Sequence, residues 1–519
     1  MTTPAWHVRE GGLTTFARNV GTRYALIIVN ALIGLVVLPY NVSHLGKGDY
    51  GLWMLAASIT TYFTIIELGY GGAVVRFVAE YKARKDAGAL NEILSTMFFL
   101  YCAMGVACYL LAIAAAVLLP YVFNLNPDQV HTGRIVLLII AIQVTLYFPF
   151  SVFGGVINGF ERYYVNNVVG TGFNIATAVV NVLVLWLGYG LVELVTATTL
   201  MRVFPLFAYR LNAYSVFPEL QLRWSLFRKS RLREVTSFSA YLAVIDWSAR
   251  LTYATDTFYL GIFMNTAAVA VYAIAQRLAE ALLRMTNQLH TFLFPAVVYH
   301  ATEGRTERQQ QLMVTANRFQ LAIAVCLCGG IAAVADVLIP AWVGPGFEGS
   351  VLAVQILAFV VVLRAWIAMP STVLKGNNQH RYLARIASVG AVANLLLSIP
   401  LVKSWGIPGV AIGTAVPVFI SCAVFIFPRA CRQVGLNLVA AYRVIVWPAV
   451  WPALVVITLL AATRQLIPVR MTFVLAHLAS GGLVYAVLFF RFGLSRPERL
   501  WMTSAVAQLW RRRPDLVAA

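Results

Sequence analysis

The sequence predicts an all-α polytopic membrane protein of about fourteen transmembrane helices, two pseudo-symmetric six-helix lobes followed by two further C-terminal helices. Three observations predict it. The 519 residues are 60% hydrophobic and only 11% charged, with a mean hydropathy of +0.78, whereas a soluble chain carries roughly 25% charged residues to cover its surface. The apolar residues come in blocks of about 20, the length that crosses a bilayer as a helix, and not as a stripe of helical period. Several residue types also recur at a spacing of 219 positions. Composition and blocks together exclude an ordinary soluble enzyme, a disordered chain and a nucleic-acid-binding domain.

The elements follow in order. A polar stretch, Met1–Thr22, lacks the apolar segment and cleavage site of a removable signal peptide. Spans at 19–41, 50–78, 93–119, 134–157, 165–187 and 190–210 make the first lobe, residues 1–210. The longest polar connection, 211–235, carries Arg223, Arg228, Lys229, Arg231 and Arg233 and reads as a cytoplasmic basic linker, solvated and touching anionic lipid. Spans at 236–262, 266–298, 316–340, 350–373, 383–402 and 408–428 make the second lobe, 236–430. Two extra spans, 442–463 and 470–490, occupy 431–492, and 493–519 is a cytoplasmic tail.

The repeat supports this division. Arg162/Arg381, Tyr163/Tyr382, Trp186/Trp405 and Gly190/Gly409 are each 219 positions apart. Pro149 corresponds roughly to Pro370, and Tyr50 to Tyr272. An even number of spans per lobe starts both repeats on the same side of the membrane, so they are parallel repeats of the kind transporters rock around a central site.

The net charge of +19, from 39 Lys+Arg and 20 Asp+Glu, is an orientation signal. With the N-terminus inside, the inner segments hold about three quarters of the basic residues, so both termini are expected in the cytoplasm.

An ionisable side chain at the bilayer centre costs about 2.5–3.5 kcal/mol, so each is a functional candidate. The spans contain Glu67, Asp246, Arg250, Asp256, Arg277, Glu280, Arg284, Asp336 and Arg364. Arg277, Glu280, Arg284 and Asn287 form one polar stripe on the eighth span, and Asp246 and Arg250 share a face of the seventh with Tyr253. Two readings of these faces stand. Either the arginines receive an anionic head group, because a planar guanidinium fork matches phosphate oxygens, or Asp246/Arg250 and Glu280/Arg284 neutralise each other along their own helices.

The first lobe is polar with less charge. Arg23 and Asn30 lie a heptad apart; Thr60, Thr64 and Glu67 share a face; Asn167, Asn174 and Asn181 repeat every seven residues. Such side chains either bond sugar hydroxyls or hold helices together. Pro149, Pro295, Pro370 and Pro417 interrupt apolar spans as candidate hinges. Asp336, Glu193 and Lys403 stand near outer ends and reach interfacial water. The six cysteines show no metal-ligand spacing and read as packed thiols, so neither a metal nor a cofactor is expected. No phosphate-loop motif occurs, which excludes an intrinsic ATPase.

Leu45-Gly46-Lys47-Gly48-Asp49-Tyr50-Gly51-Leu52-Trp53, followed by Glu67-Leu68-Gly69-Tyr70-Gly71-Gly72-Ala73-Val74-Val75-Arg76-Phe77, resembles the LGxxxYGLW and DLGxGxAxxR pattern of Wzx-type polysaccharide flippases. These belong to the multidrug/oligosaccharidyl-lipid/polysaccharide (MOP) exporter superfamily, whose fold is shared with the MATE transporters. Glu67 stands where aspartate is frequent. The resemblance implies a non-enzymatic flippase of the bacterial inner membrane, carrying an undecaprenyl-diphosphate-linked oligosaccharide to the outer leaflet by alternating access. Membrane lipid and polysaccharide assembly proteins would be its partners.

Within that implied function, Arg23 and Arg76 meet the head group at the cytoplasmic entry, and Arg250, Arg277 and Arg284 hold the diphosphate. Asn30, Thr64, Glu67 and Asn174 line the cavity, and Asp246, Asp256 or Glu280 are positions for proton or sodium coupling. Three alternatives compete: a cation-coupled multidrug exporter, a lipid II flippase, and a membrane-embedded glycan ligase or polymerase.

Overall fold

In a computed structural model of the chain, the described residues are 13–63, 70–232, 255–286, 289–500 and 503–504, and among them every regular element is helical. Ten helices among the described residues are long and apolar enough to cross a membrane, so the chain is a multi-pass membrane protein. The expected span 236–262 falls largely outside the described residues. The chain divides into two compact units, Met1–Ile274 with Ala387–Gly413, and Ala275–Ile386 with Thr414–Ala519.

The first unit contains α1 (Leu13–Phe63), α2 (Tyr70–Arg84), α3 (Ala87–Val122), α4 (Pro127–Gly159), α5 (Tyr163–Trp186) and α6 (Leu191–Val216), and α7 (Thr266–Thr286) begins in it. α1 spends its 51 residues on two rods, because Gly46 takes φ 71°, ψ 176° and breaks the helix. Only glycine reaches such an angle without strain, which accounts for the first glycine of the motif. Gly51, the second, lies so close to α7 that a Cβ there would run into the Thr266 carbonyl. Gly51→Ala is therefore expected to cost about 1–3 kcal/mol, read as a lowered melting temperature of the purified protein. Gly48→Ala, with no neighbour nearer than Gln129 Nε2 at 3.4 Å, should show no loss.

The unit's core is built by Val74, Phe77 and Val78 of α2, Ile93, Leu94, Met97 and Tyr101 of α3, and Phe148, Val152 and Val156 of α4. α4 approaches α2 through Gly155 and Gly159, whose missing Cβ atoms leave room for Val74 and Val78. Small residues four apart allow this closeness between membrane helices. Pro149 removes the N–H that would bond the Thr145 carbonyl, and Gly105 of α3 sits against that carbonyl.

α6 continues to Val216, into the stretch read as linker. The chain that follows is tied to α3. Asn91 bonds both the Glu219 carbonyl and the Gln221 N–H, at 2.8 and 2.9 Å, and Thr96 accepts from the Arg228 N–H at 3.0 Å. Phe217 and Leu220 are buried in the core, while Trp224 stacks on Phe227 at 5.2 Å. An extended backbone has no hydrogen-bond partners of its own, and the polar side chains of α3 supply them.

The second unit contains α8 (Leu289–Thr302), α9 (Thr306–Ala333), α10 (Ala335–Val343), α11 (Val351–Gly376), the two ends of α12 (His380–Ile420), whose middle belongs to the first unit, α13 (Phe427–Gln433), α14 (Leu438–Ala441), α15 (Trp447–Thr463) and α16 (Met471–Leu488). One continuous helical run covers His380–Gln433, 54 residues, about 80 Å at 1.5 Å per residue and far beyond one bilayer. Gly406, at φ 62°, ψ −132°, breaks it. Gly409 lies against the Leu401 carbonyl and Gly413 against Ser398, so the run is a hairpin of two spans, as the two separate sequence blocks imply. The ninth expected span, 316–340, is instead α9 ending at Ala333 and a short α10.

Four of the helix–helix turns share one geometry, which the Leu436 N–H to Cys431 carbonyl bond after Gly435 (φ 68°) repeats. Asp86, Arg162, Arg305 and Gln379 each donate their N–H to the carbonyl five residues earlier, on Tyr81, Ile157, His300 and Leu374. The residue before each, Lys85, Glu161, Gly304 or Asn378, has φ between 55° and 67°, the left-handed closure of a helix C-terminus. Lys85 and Gly304 are 219 positions apart, and Glu161 and Asn378 are 217 apart.

Candidate functional site

α7 carries the charged face expected of it. Glu280 Oε2 lies 3.5 Å from Arg277 Nη1 and 3.7 Å from Arg284 Nη2. Pairing thus extends to Arg277 as well as Arg284, and one carboxylate faces two guanidinium groups. The arginine side chains are 50% and 62% exposed, that of Glu280 30%. Hydrocarbon would disfavour such a face by several kcal/mol.

Asp256 is 2% exposed and accepts a hydrogen bond from the Tyr272 hydroxyl. Beside it Tyr62 Oη donates to Thr255 Oγ1 at 2.9 Å, and Tyr259 Oη to the Leu395 carbonyl at 3.2 Å. The buried carboxylate is thereby embedded in a polar web of the first unit, the condition for keeping a charge-bearing group inside a membrane protein.

The asparagines of α5 hold helices. Asn174 Nδ2 donates to Asn30 Oδ1 at 3.0 Å and Asn167 Nδ2 to Thr22 Oγ1 at 3.1 Å, joining α5 to α1. Asn181 Oδ1 accepts from Thr198 Oγ1 of α6 at 2.7 Å. Between the two readings of this heptad, the bonds present are interhelical ones. Arg76 is exposed, 4.0 Å from Glu80 and 5.5 Å from the centre of the Phe77 ring. The side chain of Arg23, and Thr64, Glu67, Asp246, Arg250, Tyr253 and Asn287, lie outside the described residues. Among the described residues no group of three His, Cys, Asp or Glu is arranged to hold a metal.

Sequence reasoning missed Arg318. On α9 it is 8% exposed, forms an ion pair with Glu498 beyond α16, and donates to the Val444 carbonyl at 3.4 Å. That carbonyl is the one deprived of its helical donor by Pro448, four residues on. At the other end of the same helices Arg464 pairs with Asp336 at 3.1 Å and donates to the Ala333 carbonyl, the last of α9, at 3.3 Å. Between these ends Gly329 makes room for Ile457, and Gly481 for Leu460. The added helices α15 and α16 are thus fastened to α9 along its length. Asp336, expected at interfacial water, is one of the fasteners.

Comparison with known proteins matches residues 16–299 to the family described as polysaccharide biosynthesis protein. The probable flippase AglR of Haloferax volcanii is 21% identical over 411 residues, 78% of this chain and 81% of that one. An uncharacterized membrane protein, EpsK of Bacillus subtilis, is 20% identical over 79% of this chain and 82% of its own. Among solved structures, the lipid II flippase MurJ in an inward closed conformation superposes with a TM-score of 0.74 at 12% identity, covering 91% of this chain and 98% of that one. An inward-facing MATE transporter of the MOP superfamily gives 0.65 at 15% identity, over 79% and 94%.

Proposed function

This chain belongs to the polysaccharide biosynthesis protein family and has the fold of the MOP-superfamily flippases and exporters, and from that premise we propose that it flips an undecaprenyl-diphosphate-linked oligosaccharide from the inner to the outer leaflet. The observation that carries the reading is the exposed Arg277–Glu280–Arg284 face inside a membrane span. A diphosphate with its glycan cannot enter hydrocarbon without groups that replace water around the charge, and guanidinium forks do so. The polyprenyl tail needs no such help and stays in lipid.

In this proposal Arg277 and Arg284, with Arg250, hold the diphosphate, and Arg23 and Arg76 receive it at the cytoplasmic side. The membrane is the bacterial cytoplasmic membrane, with both termini inside, as the basic excess of the inner segments supports. Asp256, with Tyr272 as its hydrogen-bond donor, is the position for an ion-coupling step. Polysaccharide assembly proteins would supply and take up the glycan. The ratio of two arginines to one carboxylate favours an anionic lipid over the cationic substrates of a multidrug exporter.

The test is reconstitution in liposomes with a fluorescent undecaprenyl-diphosphate-linked oligosaccharide in one leaflet. The expected result is protein-dependent appearance of label in the other leaflet with the molecule chemically unchanged. Transfer of the glycan to a second acceptor would make the protein a ligase and sink the reading.

A further inference from the structure

We propose that Glu280 is an internal placeholder for the substrate's phosphate, a carboxylate that holds Arg277 and Arg284 in position and is displaced when the anionic head group binds. The inference rests on the proposed diphosphate substrate and concerns a group to which that reading gives no binding role. Glu280 stands three residues after Arg277 and four before Arg284, so one turn of α7 on either side brings both guanidinium groups to it.

The distances point to a tether more than to a closed ion pair. At 3.5 and 3.7 Å both contacts exceed the roughly 2.7–2.9 Å of a charge-assisted hydrogen bond, and both arginines remain at least half exposed. A single oxygen, Oε2, faces both. A phosphate offers three oxygens and more charge, and so satisfies the two forks better than one shared carboxylate oxygen does. Glu80 and Glu92 also each face two arginines, whereas Glu498 reaches a single guanidinium that is 90% shielded from solvent, an arrangement with no room for exchange.

The arrangement has a consequence for a carrier. Two bare arginines would bind a diphosphate tightly and release it slowly, and a competing carboxylate lowers the affinity and restores the resting geometry after release. The same carboxylate, 3.5 and 3.7 Å from the two guanidinium groups, keeps these like charges from repelling each other in the empty protein. Substrate binding then costs only the exchange of one anion for another.

The experiment compares full-length wild type, Glu280→Gln, Glu280→Asp and Arg277→Ala/Arg284→Ala in detergent, with farnesyl diphosphate as the binding probe and farnesol as its uncharged control, and translocation of the labelled oligosaccharide lipid in liposomes. Glu280→Gln is expected to tighten farnesyl diphosphate binding about five-fold, the size of an exposed pair interaction, while lowering the maximal translocation rate. Glu280→Asp should restore both towards wild type. If Glu280→Gln weakens binding or leaves it unchanged while the double arginine variant loses it, the placeholder role is overturned and the diphosphate reading stands. If the double arginine variant binds as wild type does, the diphosphate reading itself fails.

Discussion

Replacing Arg277 and Arg284 together by alanine is expected to lower translocation of the lipid-linked oligosaccharide about 100-fold or more, at unchanged amounts of protein in the membrane. Charge-assisted hydrogen bonds contribute about 1.5–3 kcal/mol each, and two lost guanidinium contacts exceed the 1.4 kcal/mol that makes a factor of ten. Alanine at both positions leaves Glu280 without the partners it has at 3.5 and 3.7 Å, so the triple variant with Glu280→Gln separates lost binding from a stranded charge. Both should fail to complement a strain lacking its own flippase. Full complementation by the double variant would remove α7 from the mechanism. Lysine at both positions keeps the charge without the planar fork and should fall between.

Glu498→Ala is expected to destabilise the second unit by about 3–5 kcal/mol, the cost of leaving a buried guanidinium without its counter-charge. Arg318 is 8% exposed, and its remaining contact, the Val444 carbonyl at 3.4 Å, does not neutralise it. The double substitution Arg318→Met/Glu498→Met removes both charges and should recover most of the loss. Melting temperatures in detergent and protease sensitivity of the C-terminal tail measure it. Equal destabilisation by the single and double variants would mean that the pair carries no coupling.

The two cases differ in how far each was readable from the sequence. The α7 face was legible because charged residues at positions 277, 280 and 284 repeat with the period of one helix, and a local pattern needs only local geometry. Arg318 was not, because its partner Glu498 is 180 residues away and no spacing connects them. Gly46 and Gly51 were legible as parts of a motif, but their separate tasks, a left-handed break in α1 and a close approach to Thr266, belong to backbone geometry. The heptad Asn167, Asn174 and Asn181 allowed sugar binding or, by preference, helix pairing, and its bonds to Thr22, Asn30 and Thr198 across the gap depend on where α1, α5 and α6 meet. The linker's basic residues were plain, whereas its attachment depends on Asn91, Ser95 and Thr96 projecting from α3.

By itself the sequence determined the solvent and the helices, because the composition of each span is a statement about transfer into hydrocarbon and requires no knowledge of neighbours. It also carries like residues 219 positions apart, a spacing that holds whatever their surroundings. Only the tertiary structure decided which polar side chains satisfy one another and which remain exposed to a ligand. A hydrogen bond or an ion pair depends on where two chain segments meet, and that information is spread over every residue that packs between them.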